Sequence, residues 1–258
     1  MKRIFIVVIL SALVALPGLA GPGCRAELPI WHSGYWWSYQ AQGLVESLGA
    51  WGEIYHITRA DRFEQYVLGV RKINSENVYI SSAIIWTNRG PLVGLEFTPA
   101  ETMETTVSYF CFQELPYRIT DLSFPLWVGK RWTVIPEFEY QHKKYPAITA
   151  EVVGVEDVDV PLKRLPTFKI GYYRGDELIE EGWWSPHLAA WAKQSWPDGP
   201  EYALADFWWF SPEEALDRTY QALEESIKVF PDQAMSVLAL LIQYDFDPDR
   251  AWALLAGS

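Results

Sequence analysis

Residues 77–87 read NVYISSAIIWT, residues 88–91 read NRGP, and residues 92–97 read LVGLEF. Two runs rich in β-branched and aromatic residues flank a compact turn signal, so the stretch reads as strand, turn, strand. The same texture extends outward from it. Toward the N-terminus, 35–39, 53–58 and 63–73 are short runs of this kind. Toward the C-terminus, 105–112, 127–135, 147–160, 167–173, 178–184 and 191–194 follow, with a turn at Arg174-Gly175-Asp176. Many short strands with short connections predict a mainly β protein: a curved antiparallel sheet, a sandwich or a half-barrel.

The pattern changes after residue 210. Ser211-Pro212-Glu213-Glu214 is a helix start, with Ser as N-cap, Pro at the first position and Glu three residues after the cap. Leu216, Tyr220, Leu223 and Ile227 then line one face at helical spacing. A second helix, about 232–244, is apolar nearly all round and must bury itself against the sheet or a protein partner. Asp247-Pro248 repeats the cap-plus-proline start, and Gly257 stands where a helix stop belongs. About three short helices therefore form a C-terminal tail, 211–258.

The opposite end reads as an export signal. Lys2 and Arg3 precede the apolar run Ile4 to Leu16, and small residues follow Pro17 up to Gly23. That order of charge, apolar run and small residues is a signal peptide, 1–23, and it is too short to span a bilayer. Cleavage after Ala20 fits Gly18-Leu19-Ala20. Cys24 offers a second outcome, an acylated N-terminal cysteine, although Pro22 and Gly23 depart from the Leu-Ala-Gly-Cys order of a lipoprotein signal. The expected address is extracytoplasmic: periplasmic, envelope-attached or secreted. Two cysteines, Cys24 and Cys111, could pair but make no disulfide framework, so a packed core must hold the fold. Cys111, within an apolar strand-like run, reads as a buried structural thiol.

The charge of −12 becomes −15 for a chain starting at Glu27, once Lys2, Arg3 and Arg25 are subtracted. Such acidity argues against a nucleic-acid partner and against electrostatic docking on anionic lipid. The 14 tryptophans all lie after residue 30, with pairs at Trp36-Trp37, Trp183-Trp184 and Trp208-Trp209. Adjacent strand residues point to opposite faces, so each pair sends one indole each way. Either both faces are covered, or one is an aromatic platform for sugar rings or an apolar ligand. Trp36, Trp37, Trp183 and Trp184 are the candidate ligand contacts.

An internal repeat also shows. Leu28-Pro29-Ile30-Trp31 is echoed by Phe124-Pro125-Leu126-Trp127, Gly34 by Gly129, and Trp37-Ser38 by Trp132-Thr133. Gly69-Val70 matches Gly154-Val155, and Phe97-Thr98-Pro99 matches Trp184-Ser185-Pro186. Two related β units, 28–123 and 124–210, are expected, without a linker between them and so as one continuous body. The second unit carries a resemblance. Phe124 to Trp132, Val158-Asp159-Val160-Pro161, Phe168-Lys169, Trp183-Trp184-Ser185-Pro186 and Trp191-Ala192-Lys193 are similar to segments of the exported β-rich bacterial domains of unknown function of the DUF3108-like group. It covers about 124–195, with a weak echo in 28–99. Where that group carries Ala-Gly-Thr, this chain has the longer 162–167. The resemblance implies a curved antiparallel sheet and an extracytoplasmic address, and no activity.

Chemical signatures are sparse. His32, His56, His142 and His187 lack metal spacing, and there is neither a nucleophile elbow nor a phosphate loop. No catalytic residue, metal or cofactor is expected. Asp245-x-Asp247-x-Asp249 fails as a calcium loop and reads as helix capping. Glu156, Asp157 and Asp159 read as a solvated acidic turn. Glu180-Glu181, beside Trp183-Trp184, is the best acid-plus-aromatic cluster, read as a strand edge kept soluble by charge. The function expected is a non-enzymatic binding or assembly module. The alternatives are a carrier or sensor of an apolar or sugar ligand, and a carboxylate-dependent hydrolase.

Overall fold

The computed structural model describes residues 24–42, 46–48, 54–56, 60–103, 107–108, 120–140, 142–197 and 201–257. The export segment 1–23 and Cys111 lie outside the described residues, as do parts of the runs expected at 53–58 and 105–112. The first half comprises β1 (Arg25–Ala26), β2 (Tyr35–Gln42), β3 (Glu46–Leu48), β4 (Ile54–His56), β5 (Ala60–Ile73), β6 (Glu76–Thr87), β7 (Gly90–Pro99) and β8 (Val107–Ser108). The second comprises β9 (Leu126–Trp127), β10 (Arg131–Ile135), β11 (Phe138–Tyr140), β12 (Lys143–Tyr145), β13 (Ile148–Asp159), β14 (Arg164–Arg174), β15 (Glu177–Ser185), β16 (Ala190–Ser195) and β17 (Glu201–Trp209). Three helices follow: α1 (Pro212–Ser226), α2 (Pro231–Gln243) and α3 (Pro248–Gly257).

Eleven strands make one open antiparallel sheet in the order β10-β13-β14-β15-β16-β17-β2-β5-β6-β7-β8. The fold is thus the mainly β body with three C-terminal helices that the strand and helix patterns predict. Two expectations are corrected in detail. The run 127–135 is broken into β9 and β10, because Gly129 takes φ +88° and turns the chain between them. β17 was not expected as a strand, yet its pairing with β2 joins the two halves into one sheet.

The two halves carry the same local device. β5 bulges between Val67 and Gly69, and the Val67 carbonyl accepts a hydrogen bond from Gly34 N–H at 2.7 Å. β13 bulges between Val152 and Gly154, and the Val152 carbonyl accepts from Gly129 N–H at 2.8 Å. Both glycines are left-handed, at φ +92° and +88°. A bulge bends its strand and increases the local twist, which helps a long sheet to curl.

The helices cover one face of β5–β7. Glu214 N–H donates to the Ser211 hydroxyl at 3.1 Å, so the expected N-cap of α1 is formed. Tyr220 and Leu223 are fully buried against the sheet, each such burial being worth about 1.5–3 kcal/mol. Buried polar groups fix the helix positions. The Ser82 and Thr219 hydroxyls are 2.7 Å apart, Gln233 Nε2 donates to the Val93 carbonyl at 3.0 Å, and the Tyr220 hydroxyl donates to the Phe246 carbonyl at 2.6 Å. Helix α2 buries Val237, Leu238 and Leu241 in this layer, so the sheet is what its apolar side meets, while Met235 stays exposed. Asp247 Oδ1 accepts from Arg250 N–H at 3.3 Å, the capping role expected at the start of α3.

Candidate functional site

Period-two alternation divides the strands of the first half. On β5, Glu64, Tyr66 and Leu68 alternate with Phe63, Gln65 and Val67; on β7, Val93, Leu95 and Phe97 alternate with Gly94, Glu96 and Thr98. Tyr66, Leu68, Val93, Leu95 and Phe97 belong to the helix-covered core. Phe63, Gln65, Glu96 and Thr98 instead face a cavity of about 300 Å³.

That cavity is built by both halves. β2 supplies Trp37 and Tyr39, β15 supplies Trp184, and β16 supplies Ala190, Trp191 and Gln194. Five strand steps separate β16 from β7, roughly 24 Å on a flat sheet at about 4.8 Å per step. Residues from both strands line one small cavity only because the sheet curls. The segment before β2 holds the curl in place. Trp31 Nε1 donates to the Ala189 carbonyl at 2.9 Å, and Trp37 Nε1 donates to the Leu188 carbonyl at 3.1 Å. Both carbonyls sit in the β15–β16 connection, so two indoles of the first half pin a loop of the second.

The walls are aromatic. Trp31 lies 5.4 Å from Trp37, Trp184 lies 5.5 Å from Trp191 in an edge-on arrangement, and Tyr39 lies 5.4 Å from Phe63 (ring-centre distances). Trp184 is buried, and its indole N–H has no hydrogen-bond partner among the described residues. A buried donor without an acceptor is costly, by about 1–3 kcal/mol.

Acids complete the lining. Gln65 Nε2 donates to the Glu96 carboxylate at 2.6 Å. Burial, and then the charge of Asp121, push the Glu96 pKa up from 4.5 to about 7, against the Gln65 hydrogen bond. Burial raises Asp121 from 3.8 to about 6, opposed by hydrogen bonds from Tyr172 and Trp191. Gln194, which lines the cavity, donates to Glu180 at 3.1 Å. Burial and the Asp121 charge hold Glu180 well above the usual carboxylate range. Asp121 thus acts on both glutamates, making the three carboxyls one electrostatic cluster. None of them is in an ion pair among the described residues.

The sequence-proposed aromatics divide between faces. Trp37 and Trp184 line the cavity. Trp36 packs against Tyr66 and Phe210 in the helix-covered layer. Trp183 is held between the Lys169 and Lys193 ammonium groups, 5.0 and 5.4 Å from its ring centre, and donates to Glu156 at 2.6 Å. Trp208 and Trp209 are the exposed pair, at 58% and 62%, stacked 5.9 Å apart. Glu180 does not sit on a sheet edge: β15 lies between β14 and β16, and the carboxyl is recessed. Glu96 and Asp121 escaped the sequence reading: a lone acid in an alternating strand signals solvent at Glu96, and Asp121 lies in a connection, where no pattern marks it. Glu156 and Asp157 contact Lys169 and Arg164 respectively, away from the cavity lining. Cys24 is half-buried beside the core of the second half and directly precedes β1, which pairs with β9.

Among the described residues, no group of three or more His, Cys, Asp or Glu is placed to hold a metal ion, and no helix is long and apolar enough to cross a membrane. No protein-family model and no curated protein matches the chain. Two solved structures are similar to the chain at low scores. One is a Bacteroides fragilis protein described as exported and of YmcC-like fold, 11% identical, with a TM-score of 0.40 over 72% of this chain and 100% of that one. The other is a Parabacteroides distasonis protein described as a lipoprotein, 12% identical, with a TM-score of 0.32 over 71% of this chain and 99% of that one.

Proposed function

We propose that the chain is an exported, non-enzymatic binding protein that takes a small, largely apolar ligand into the tryptophan-walled cavity. The observation that carries this is the cavity itself: about 300 Å³, walled by Trp31, Trp37, Trp184 and Trp191 from both halves of the sheet. That volume lies at the lower end of small-molecule sites, and a few polar groups amid aromatic walls is their usual make-up.

The proposal includes the two related units, 28–123 and 124–210, with the cavity between them, and kinship with the DUF3108-like group. The paired bulges and left-handed glycines support the first, and the motifs of 124–195 the second. An extracytoplasmic address rests on the charge and apolar pattern of residues 2–23. The attachment branch rests on Cys24: a diacylglyceryl mass on the mature N-terminus establishes a lipid anchor, and a chain beginning at Gly21 establishes cleavage after Ala20.

Paired acids in a cleft also bring hydrolysis to mind. A carboxylate pair for glycoside cleavage needs one acid neutral and one ionised. Here Glu96 and Asp121 are raised together, to about 7 and about 6, so their environments do not push the two far apart into separate acid and base roles. Binding is the better reading. Its test is intrinsic tryptophan fluorescence of the whole protein titrated with indole and with 2-phenylethanol. Saturable change, lost in Trp37→Ala and Trp184→Ala variants that melt cooperatively, is expected. A wild-type signal indifferent to every such probe refutes the cavity as a site.

A further inference from the structure

We infer that the ligand of this cavity is an organic cation: an amine on an apolar or aromatic body. This rests on the cavity being a binding site and adds the chemistry of what it binds.

Four features converge on that class. First, Glu96 and Asp121 line the cavity and Glu180 adjoins it through Gln194, whereas no Lys, Arg or His is among the described lining residues. Among these residues an anionic ligand would meet three carboxyls and no counter-charge. Second, among the described residues the partners these acids have are neutral: Gln65 on Glu96, Gln194 on Glu180, Tyr172 and Trp191 on Asp121. Neutral donors orient a carboxylate but leave its charge unmatched, and buried charges are stable when paired. Third, the walls are Trp and Tyr rings, whose faces attract a desolvated ammonium through their quadrupoles. Fourth, the aromatic walls leave room for an apolar body, so the cation is one carried on such a body.

On entry of the ammonium group, a neutral carboxyl gives up its proton to solvent and becomes the counter-ion. The charge balance is therefore one ammonium in and one proton out.

The test uses the full protein and three probes of one shape: tyramine, its neutral counterpart tyrosol, and the anion 3-(4-hydroxyphenyl)propionate. Calorimetric titration at pH 6.5 in two buffers of different ionisation heat reads affinity and proton release together. Tyramine is expected to bind at least tenfold more tightly than tyrosol and to release a proton, and the anion to bind most weakly. In Glu96→Gln/Asp121→Asn the tyramine advantage falls to within about twofold, while tyrosol binding is kept. Because tyrosol reports the cavity without the charge, a misfolded variant is recognised by its loss of tyrosol as well. Proton release by the wild type stands without any variant. Equal binding of tyramine and tyrosol overturns the cation while leaving the cavity as a site, and preference for the propionate overturns it too. Silence from all three probes overturns both readings.

Discussion

Replacing Glu96 by Gln should make the protein more stable at pH 8 and leave it unchanged near pH 4.5. In the folded chain Glu96 keeps its proton to about pH 7, because burial and the Asp121 charge disfavour ionisation; its ordinary value is 4.5. The unfolded chain releases that proton near 4.5. Between those values the folded state binds more protons than the unfolded state, so stability falls as pH rises through the window, and the loss is complete above pH 7. At 1.36 kcal/mol per pH unit the full gap corresponds to about 3 kcal/mol, an upper bound because the coupled Asp121 shares the effect. Gln never ionises and keeps an oxygen for the Gln65 donor, which now lies 2.6 Å from the carboxylate. A gain of about 1–3 kcal/mol at pH 8 follows, or a rise in Tm of roughly 3–10 °C for a chain of this size. Urea and thermal melts followed by circular dichroism at pH 4.5 and pH 8 measure it. A variant less stable than wild type at pH 8, or a difference identical at both pH values, would refute the burial of this carboxyl.

Other expectations follow from the same structure. Gly34→Ala places a Cβ 2.1 Å from the Phe210 carbonyl oxygen at φ +92°, so it must break the Gly34–Phe210 junction and cost more than about 3 kcal/mol in urea melts. Gly129→Ala has a similar φ of +88° and open space, so only backbone strain of about 1–2 kcal/mol is expected, and the comparison separates clash from conformation. Tyr220→Phe removes a buried hydroxyl that donates to the Phe246 carbonyl at 2.6 Å. It should cost about 1–3 kcal/mol in the same melts, without changing the affinity of any cavity probe. Lys193→Met keeps an apolar stem over Trp183 but removes one of its two ammonium groups. Stability should fall by no more than about 1 kcal/mol, with cavity binding unaltered, because Trp183 lies outside the cavity lining.

What could be read from the chain was what local sequence encodes. The hairpin of residues 77–97 appears as β6 and β7, and the Ser211 cap and its apolar face appear as α1. β17 escaped because its bulge between Leu204 and Asp206 breaks the two-residue period, leaving Phe207-Trp208-Trp209 without a legible face. Of the Trp pairs, Trp36-Trp37 and Trp183-Trp184 each put one member on the cavity and one off it, whereas Trp208 and Trp209 are both exposed and stack on each other instead of facing two ways. Which member meets the cavity depends on register and on where the sheet curls, and neither is local. The same limit hid the acids. On β7, Leu95 and Phe97 against Glu96 and Thr98 is the pattern of a strand with one wet face, yet that face is closed over by β2, β15 and β16. Alternation tells which residues share a face; it does not tell whether the second face is water.

The distinction bears on why the acids are there. A sheet with one buried and one wet face carries Glu96 and Glu180 at no cost. A sheet curled until the second face is partly shielded from water carries them at a cost that grows as each ionises. The enclosure already supplies Gln65 and Gln194, so amides fit its geometry, and a Gln at 96 would relieve the penalty. A carboxyl that lowers stability at neutral pH has a reason to be present when something positive enters to pair with it. Glu96→Gln therefore decides between two accounts in one variant. Gained stability with lost preference for tyramine over tyrosol marks a carboxyl that serves a ligand at the expense of the fold. Gained stability with the preference intact marks a carboxyl that the cavity tolerates, and moves the counter-ion to Asp121 or Glu180.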